Sequence, residues 1–474
     1  MRLPMSPTDS MFLLGETREH PMHVGGLVMF EPPEGHTASD LRQMFVDAIG
    51  RSEDEDVAPL WRKRAVRSLT TFGQWAWEDD PAFDLDYHVR FNALPRPGST
   101  TELRELVSRL HAPLLDRSRP LWEMHLIEGL DDGRYGLYMK VHHALADGVG
   151  AMRLLRRALS TDPHETEMPA PWAAPDSSDP KRSVVGAAIE LPSTAVRAAR
   201  GVISEAFGLV PAIVGTVDRA LHDRGGSLSL AAPQTILNVP IAGSRRFAAR
   251  AWPLERLRSV ATASESTIND VVLAMCSGAL RTFLAEQDSL PDESLVAMVP
   301  VALRNDKNTG NDLGVLMCSL GTDRPEAAER LSGVRASMAA GKKSMSGMST
   351  LSRLAASAVG MAPLAVGVLT GNRVLSRPAF NVIISNVPGP DTPLYWNGAR
   401  VDAVYPLSVP LDGQALNITC TSTDDRIAFG LTACRRTVPD LGRLLDHLDA
   451  ELVALEHAVG IPVAGNITDV ETRA

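Results

Sequence analysis

The chain has 474 residues, of which 44% are apolar and 22% charged, and carries a formal net charge of −10. That length exceeds what one hydrophobic core ordinarily serves, so two lobes are expected in an otherwise ordinary globular composition. The acidic balance excludes the broad basic footprint of a nucleic-acid binder and argues against tight electrostatic docking on anionic lipid, which a local basic patch would still permit.

The N-terminal stretch MRLPMSPTDSMFLL has no apolar h-region, so no signal peptide is expected. Residues 24–30 read as a strand and 38–49 as a helix; 101–111 read as a helix and 122–128 as a strand. Residues 135–142 give the clearest strand, with Leu137, Met139 and Val141 on one face and Tyr138, Lys140 and His142 on the other. After Gly148 the period changes to that of a helix. Met152, Leu155 and Leu159 take one side, and Arg153, Arg156 and Arg157 the other.

Residues 162–181 (DPHETEMPAPWAAPDSSDPK) are rich in Pro, Asp, Glu and Ser, and read as a linker with too little apolar surface to pack. Residues 183–224 read as one or two helices with long apolar runs. A second mixed region starts near Leu237, with a helix over 269–286 and strands at 295–303, 379–385 and 414–421. A closing helix repeats Leu441, Leu444, Leu445, Leu448, Leu452 and Leu455 at helical spacing. The expected organisation is a lobe over 1–161, a linker and apolar helical segment over 162–236, and a second lobe over 237–474. Residues 354–372 carry no charge, but Gly360, Pro363, Gly367 and Gly371 interrupt them, so a buried or interfacial helix pair is expected rather than a span. Cys276, Cys318, Cys420 and Cys434 form no CxxC pair, which fits reduced thiols in a cytosolic protein better than zinc or disulfides.

The chemistry concentrates in residues 140–150, KVHHALADGVG. A strand delivers two adjacent histidines, and Asp147-Gly148 then opens a helix. Successive strand residues face opposite ways, so His142 and His143 do not share a cavity. One is free to act as a base while the other packs. Asp147 caps the helix or holds an Arg, and Gly148 supplies a turn conformation that a Cβ would hinder. A structural role for the whole pair is the simpler alternative. No third ligand at HxxxH or HxH spacing points to a metal, and no GxSxG elbow surrounds a serine.

HHALADG resembles the HHxxxDG motif of the CoA-dependent acyltransferase superfamily, which includes chloramphenicol acetyltransferase-like enzymes and peptide-synthetase condensation domains. More narrowly, SPTDSMFLLGETREHPMHVGG (6–26), RPLWEMHLIEGL (119–130), TINDVVLA (267–274), PVALRN (300–305) and SNVPGP (385–390) resemble the bacterial wax ester synthase/diacylglycerol acyltransferase family. The likeness runs nearly end to end in the right order and is weak only over 162–235.

This resemblance implies an α/β, two-lobed, chloramphenicol acetyltransferase-like fold, with mixed sheets, helices and an active-site tunnel between the lobes. It implies His143 as general base and His142 in support. Asp147 is expected to form a structural ion pair, with Arg304 as candidate partner. Asn269 and Asp270 are expected near the acyl site, although Thr267 is also placed to cap their helix. Asn386 is expected to donate towards the thioester or its oxyanion and Ser385 to lie at the substrate site, with a plain turn as the alternative. Pro120 and Trp122 are expected to shape the acyl tunnel, with core packing as the alternative. His23 lacks a following Asp-Gly turn and is read as structural.

The resemblance further implies acyl-CoA as co-substrate, no cofactor and no metal. Diacylglycerol is the favoured acceptor, giving triacylglycerol, and a long-chain fatty alcohol giving wax ester is the alternative. Such substrates imply a cytoplasmic enzyme held peripherally at a membrane or lipid droplet, with 201–217 and 354–370 as candidate contacts. A carrier-protein-dependent transferase and a non-catalytic lipid-droplet protein are the competing readings. Transfer from acyl-CoA separates both from the favoured one.

Overall fold

The computed structural model describes residues 3–50, 57–67, 73–173, 232–303, 312–346 and 377–461. In chain order the N-terminal half holds β1 (Leu3–Pro4), α1 (Pro7–Gly15), β2 (His23–Glu31), α2 (Ala38–Gly50), β3 (Lys63–Arg67), β4 (Trp75–Asp79), α3 (Leu85–His88), β5 (Val89–Ala93), α4 (Thr100–His111), β6 (Trp122–Glu128), β7 (Tyr135–His142) and α5 (Gly148–Arg157). The C-terminal half holds β8 (Arg245–Pro253), α6 (Leu254–Ala263), α7 (Ile268–Ala285), β9 (Val296–Leu303), β10 (Asp312–Ser319), α8 (Ala327–Ser346), β11 (Val382–Val387), β12 (Tyr395–Trp396), β13 (Ala399–Leu407), β14 (Leu416–Thr423), β15 (Arg426–Cys434) and α9 (Gly442–Ala458).

Two six-stranded sheets form, in the orders β12-β13-β2-β7-β6-β5 and β10-β9-β11-β14-β15-β8, beside a small sheet β1-β4-β3. The lobes therefore do not divide the sequence at one point. β13 pairs with β2 over Arg400↔Glu31 to Leu407↔Gly25, so a C-terminal strand extends the N-terminal sheet. This corrects the contiguous lobe expected over 237–474. At the crossing a Cβ on Gly430 would lie 1.8 Å from the Pro406 carbonyl oxygen, so β15 and β13 meet backbone to backbone.

A second correction concerns the linker. Met168, Ala170 and Trp172 are buried in the same cluster as Phe45, Trp122 and Trp396. Its composition looked too polar to pack, but three spaced apolar side chains suffice to lay residues 168–172 on a preformed core. Residues 174–231 and 347–376 lie outside the described residues. So do the helices expected over 183–224, both candidate interfacial segments and Arg304.

β7 sits at the centre of its sheet, paired antiparallel to β2 and β6. Its two faces are both covered, which is why strand alternation there separates two buried layers rather than core from solvent. Leu137 and Val141 join the cluster under α2, whereas Tyr138 joins one under α4. Gly25, opposite Lys140, has no room for a side chain: a Cβ would lie 2.9 Å from the Met139 carbonyl oxygen and 3.1 Å from the Tyr138 ring. In the other lobe α7 is apolar and long enough to cross a membrane, but it is largely buried among the C-terminal helices and strands.

Candidate active site

The His-Ala turn is fixed at every peptide. The N–H of His142 donates to the Leu121 carbonyl at 2.9 Å, that of His143 to the Met22 carbonyl at 2.8 Å, and that of Leu145 to the His142 carbonyl at 2.8 Å. Asp147 then caps α5, its Oδ1 accepting the Gly150 N–H at 2.6 Å. Strand end, turn and helix start therefore form one rigid corner.

His142 is fully buried. Its Nδ1 accepts the Ala144 N–H at 3.1 Å, so the ring hydrogen resides on Nε2, which faces the Glu16 Oε1 at 3.4 Å. Nδ1 is taken by the backbone and Nε2 lies against the Glu16 carboxylate without a close hydrogen bond, so His142 is a brace. His143 is half-buried, and its ring stacks on Phe12 with centroids 4.1 Å apart and planes 20° apart. Burial lowers its pKa below 6.5, with the Asp147 charge opposing in part. The imidazole is consequently neutral at pH 7, the form that accepts a proton.

Glu16 is the residue that reading the sequence missed. Its buried carboxylate accepts the Met22 N–H at 3.0 Å and the Arg117 Nε–H at 2.9 Å, besides facing His142. Burial alone would raise its pKa, but the bonds from His142, Met22 and Arg117 outweigh it and hold the carboxyl below its ordinary range. Only its place in the segment 6–26 could have signalled it, because its partners come from positions 22, 117 and 142. Phe12 was likewise missed. It belongs to an apolar cluster with Met5, Leu13, Leu121, Ala144, Trp75 and Trp77 that walls the His143 side of the turn.

The remaining expected residues divide. Gly148 faces the C-terminal lobe: a Cβ there would lie 3.9 Å from Val387 Cγ2, an ordinary contact, and the residue has no left-handed φ. The turn conformation expected of it is therefore not what the position requires. That contact brings the end of β11, with Ser385 and Asn386, beside the His143 turn. Strand alternation gives Ser385 the face of Val387, and Asn386 that of Ile384, which is buried in the C-terminal core. Ser385 is thus the better placed of the two towards the N-terminal lobe. Past the strand end, Gly389 packs directly on the neighbouring backbone, where a Cβ would lie 1.7 Å from the Ser422 carbonyl oxygen.

Asp270 is taken up by structure. Its Oδ2 accepts the Thr267 N–H at 2.9 Å and the Thr267 hydroxyl at 2.7 Å in a capping box that starts α7. This overturns a substrate-binding role for that oxygen. Asn269 is half-buried in the first turn of α7, and among the described residues no hydrogen bond or ion pair joins it to the His143 turn. Trp122 is not a tunnel wall either. It is fully buried, donates from Nε1 to the Trp61 carbonyl at 2.6 Å, and stacks on His88 with centroids 4.5 Å apart. Alternation along β6 turns Trp122 into the core and leaves Leu121 beside Phe12 and Ala144. Pro120 is buried and bridges to Arg64. His23 is buried and donates from Nε2 to the His111 carbonyl at 2.7 Å, while burial keeps it neutral. Asp147 serves as helix cap, and its expected partner Arg304 lies outside the described residues.

No group of three His, Cys, Asp or Glu side chains suited to a metal ion occurs among the described residues. The arrangement offers one neutral imidazole, a hydroxyl on the facing strand and an apolar wall, at a junction of two lobes. That is the equipment for deprotonating an alcohol beside a greasy acyl donor.

Comparison with known proteins bears on the same residues. The model of the wax ester synthase/diacylglycerol acyltransferase catalytic domain matches residues 5–272, and that of the WS/DGAT C-terminal domain matches residues 309–456. A Mycobacterium tuberculosis protein provisionally named diacylglycerol O-acyltransferase is 49% identical over 472 residues, covering 98% of this chain and 92% of that one. The “Probable diacylglycerol O-acyltransferase tgs2” of the same organism is 46% identical, covering 96% and 99%. The solved wax ester synthase/diacylglycerol acyltransferase of Marinobacter aquaeolei VT8 is 41% identical with a TM-score of 0.77, covering 97% of this chain and all of that one. A starter condensation domain of rhizomide synthetase shares the fold at a TM-score of 0.56 and 15% identity, covering 97% and 94%.

Proposed function

The chain belongs to the wax ester synthase/diacylglycerol acyltransferase family, and on that premise we propose that it transfers a long-chain acyl group from acyl-CoA to diacylglycerol, with His143 as general base. The observation that carries the role of His143 is its neutral, half-buried ring on Phe12, at the end of a strand whose other histidine is fully buried with its Nδ1 taken by the Ala144 N–H. Support for diacylglycerol as acceptor comes from the names of the relatives and from the family.

In this reading His143 takes the proton of the acceptor hydroxyl as its oxygen attacks the thioester carbonyl carbon. The tetrahedral intermediate collapses with cleavage of the C–S bond, and the imidazolium returns the proton to the departing CoA thiolate. Thioesters are already activated, so the scheme needs no covalent acyl-enzyme and routes no step through a metal or cofactor. Ser385 is the candidate hydroxyl towards the developing oxyanion, where losing one donor typically costs about 3–4 kcal/mol. The lipid nature of both substrates supports a cytoplasmic enzyme lying peripherally on a membrane or lipid droplet. Met11 and Leu14, 53% and 56% exposed on the helix that carries Phe12, support contact on this side of the molecule. Unchanged flotation of a Met11→Glu/Leu14→Glu double variant with lipid vesicles would count against that side.

The test offers labelled palmitoyl-CoA to wild type and to His143→Ala, with dioleoylglycerol or hexadecanol as acceptor. Wild type should form triacylglycerol, and the variant should be slower by about 10²–10⁴-fold. Wax ester alone would move the proposal to the fatty alcohol. No product with either acceptor would sink it.

A further inference from the structure

We propose that Glu16, paired with Arg117, is the positioning carboxylate of the acyl transfer, holding His143 through its backbone and through the ring stacked on it. This rests on His143 as the base. Glu16 follows α1 directly, and its side chain is completely shielded from solvent. Three elements converge on it: the segment before β2 through Met22, the loop before β6 through Arg117, and the end of β7 through His142.

Met22 is a two-sided link. Its N–H goes to Glu16 Oε1 at 3.0 Å and its carbonyl takes the His143 N–H at 2.8 Å, so the carboxylate reaches the peptide of the base in two hydrogen bonds. His142 supplies the second route. Its Nδ1 holds the Ala144 N–H, which forces the ring hydrogen onto the nitrogen that faces Glu16. The residues on both sides of His143 are thereby referred to one carboxylate.

Arg117 supplies the third. Besides Glu16 Oε2 it bonds the carbonyl oxygens of Leu13 at 2.8 Å and of Glu16 at 3.4 Å, closing the C-terminal end of α1. That helix carries Phe12, whose ring lies on His143. One ion pair therefore fixes the turn that bears the base and the surface its ring rests on. A buried ion pair is a poor way to gain stability, because apolar groups of the same volume commonly serve as well. Its use here is geometric, since a displacement of about 1 Å at a reacting group can cost about 100-fold in rate.

The variants are Glu16→Gln, Glu16→Asp and Arg117→Lys, measured as kcat and KM for palmitoyl-CoA with dioleoylglycerol, beside His143→Ala and with melting temperatures recorded. Glu16→Gln keeps an oxygen for the Met22 N–H but sets an uncharged amide against Arg117. Its kcat should fall about 10- to 100-fold while KM stays within about 2-fold. Glu16→Asp, which keeps the charge, should recover part of that loss. Should Glu16→Gln not fold, Arg117→Lys carries the test, with a fall in kcat at unchanged KM. Full kcat in either folded variant, or a loss that appears only in KM, would overturn the proposal while leaving His143 as the base. Full activity of His143→Ala would overturn the base and this proposal together.

Discussion

The two six-stranded sheets have the same strand count and bury different things. Around β7 the N-terminal sheet buries Glu16, His23, His111, Glu123, His125, Lys140 and His142. Around β11 and β14 the C-terminal sheet buries Val, Leu, Ile and Cys side chains against α7, α8 and α9. The cost of the first arrangement shows in its titrations: burial pushes Lys140 down to about 8 and His111 down to about 3. In the second, buried charges against the helices form structural pairs, Arg330 with Glu451 and Arg256 with Glu456, while Arg245 at the edge strand β8 is held by carbonyl oxygens. One sheet spends stability near a reaction, and the other acts as the clamp that brings β11 to it.

The largest effect that would sharpen this contrast lies in the clamp. Glu451 accepts both oxygens' worth of contact from Arg330 Nη2, at 2.6 and 2.7 Å, and burial still holds its carboxyl above the ordinary range. Arg330→Met leaves that carboxylate without a counter-charge and should cost about 3–5 kcal/mol in urea unfolding. In the folded fraction at low temperature kcat should be unchanged. A fall in kcat per folded molecule would show that the C-terminal core shares in the chemistry and would break the contrast.

Next in size is Trp122, which lies on the N-terminal sheet yet belongs to its structural side. Trp122→Phe deprives the buried Trp61 carbonyl of its donor and should cost about 1–3 kcal/mol. The preference among acyl-CoA chain lengths should stay as in wild type. A shift towards longer chains would return Trp122 to the tunnel wall that its sequence context suggested.

These cases also show what the sequence could and could not reveal. Period and alternation located β2, β6 and β7 of one sheet, β9, β11 and β14 of the other, and the helices α4, α5 and α7, because each reads from its own residues; β5, β8, β10, β12, β13 and β15 were not read as strands. The HHALADG turn drew attention to His143 through its resemblance to the HHxxxDG motif, while its own residues left a structural role open. What stayed hidden depends on partners far apart in sequence: β13 crossing to the N-terminal sheet, Glu16 gathering Met22, Arg117 and His142, and Phe12 lying on His143. At Asp270 and Trp122 the sequence left a substrate role and a structural role open, and the structure supplies the structural one. The Thr267 cap is local and was legible beside Asp270, whereas the Trp61 carbonyl that holds Trp122 lies 61 residues away.

The smallest effect separates the two jobs of Asp147. As a cap it accepts the Gly150 N–H, and asparagine caps about as well as aspartate, so Asp147→Asn should leave the melting temperature nearly unchanged. Asp147→Ala removes the acceptor and should cost about 1 kcal/mol. The charge acts separately on His143. A nearby anion favours the imidazolium, so Asp147 raises the His143 pKa against the lowering by burial. Removing the charge takes that support away, and the pKa falls further. The base then stays neutral to lower pH, and the acid limb of kcat/KM moves down in both variants while the plateau above pH 7 holds. A limb that stays in place would deny the coupling. A collapse of the plateau in Asp147→Asn would instead show that the carboxylate itself holds the turn, as an ion pair with Arg304 would require.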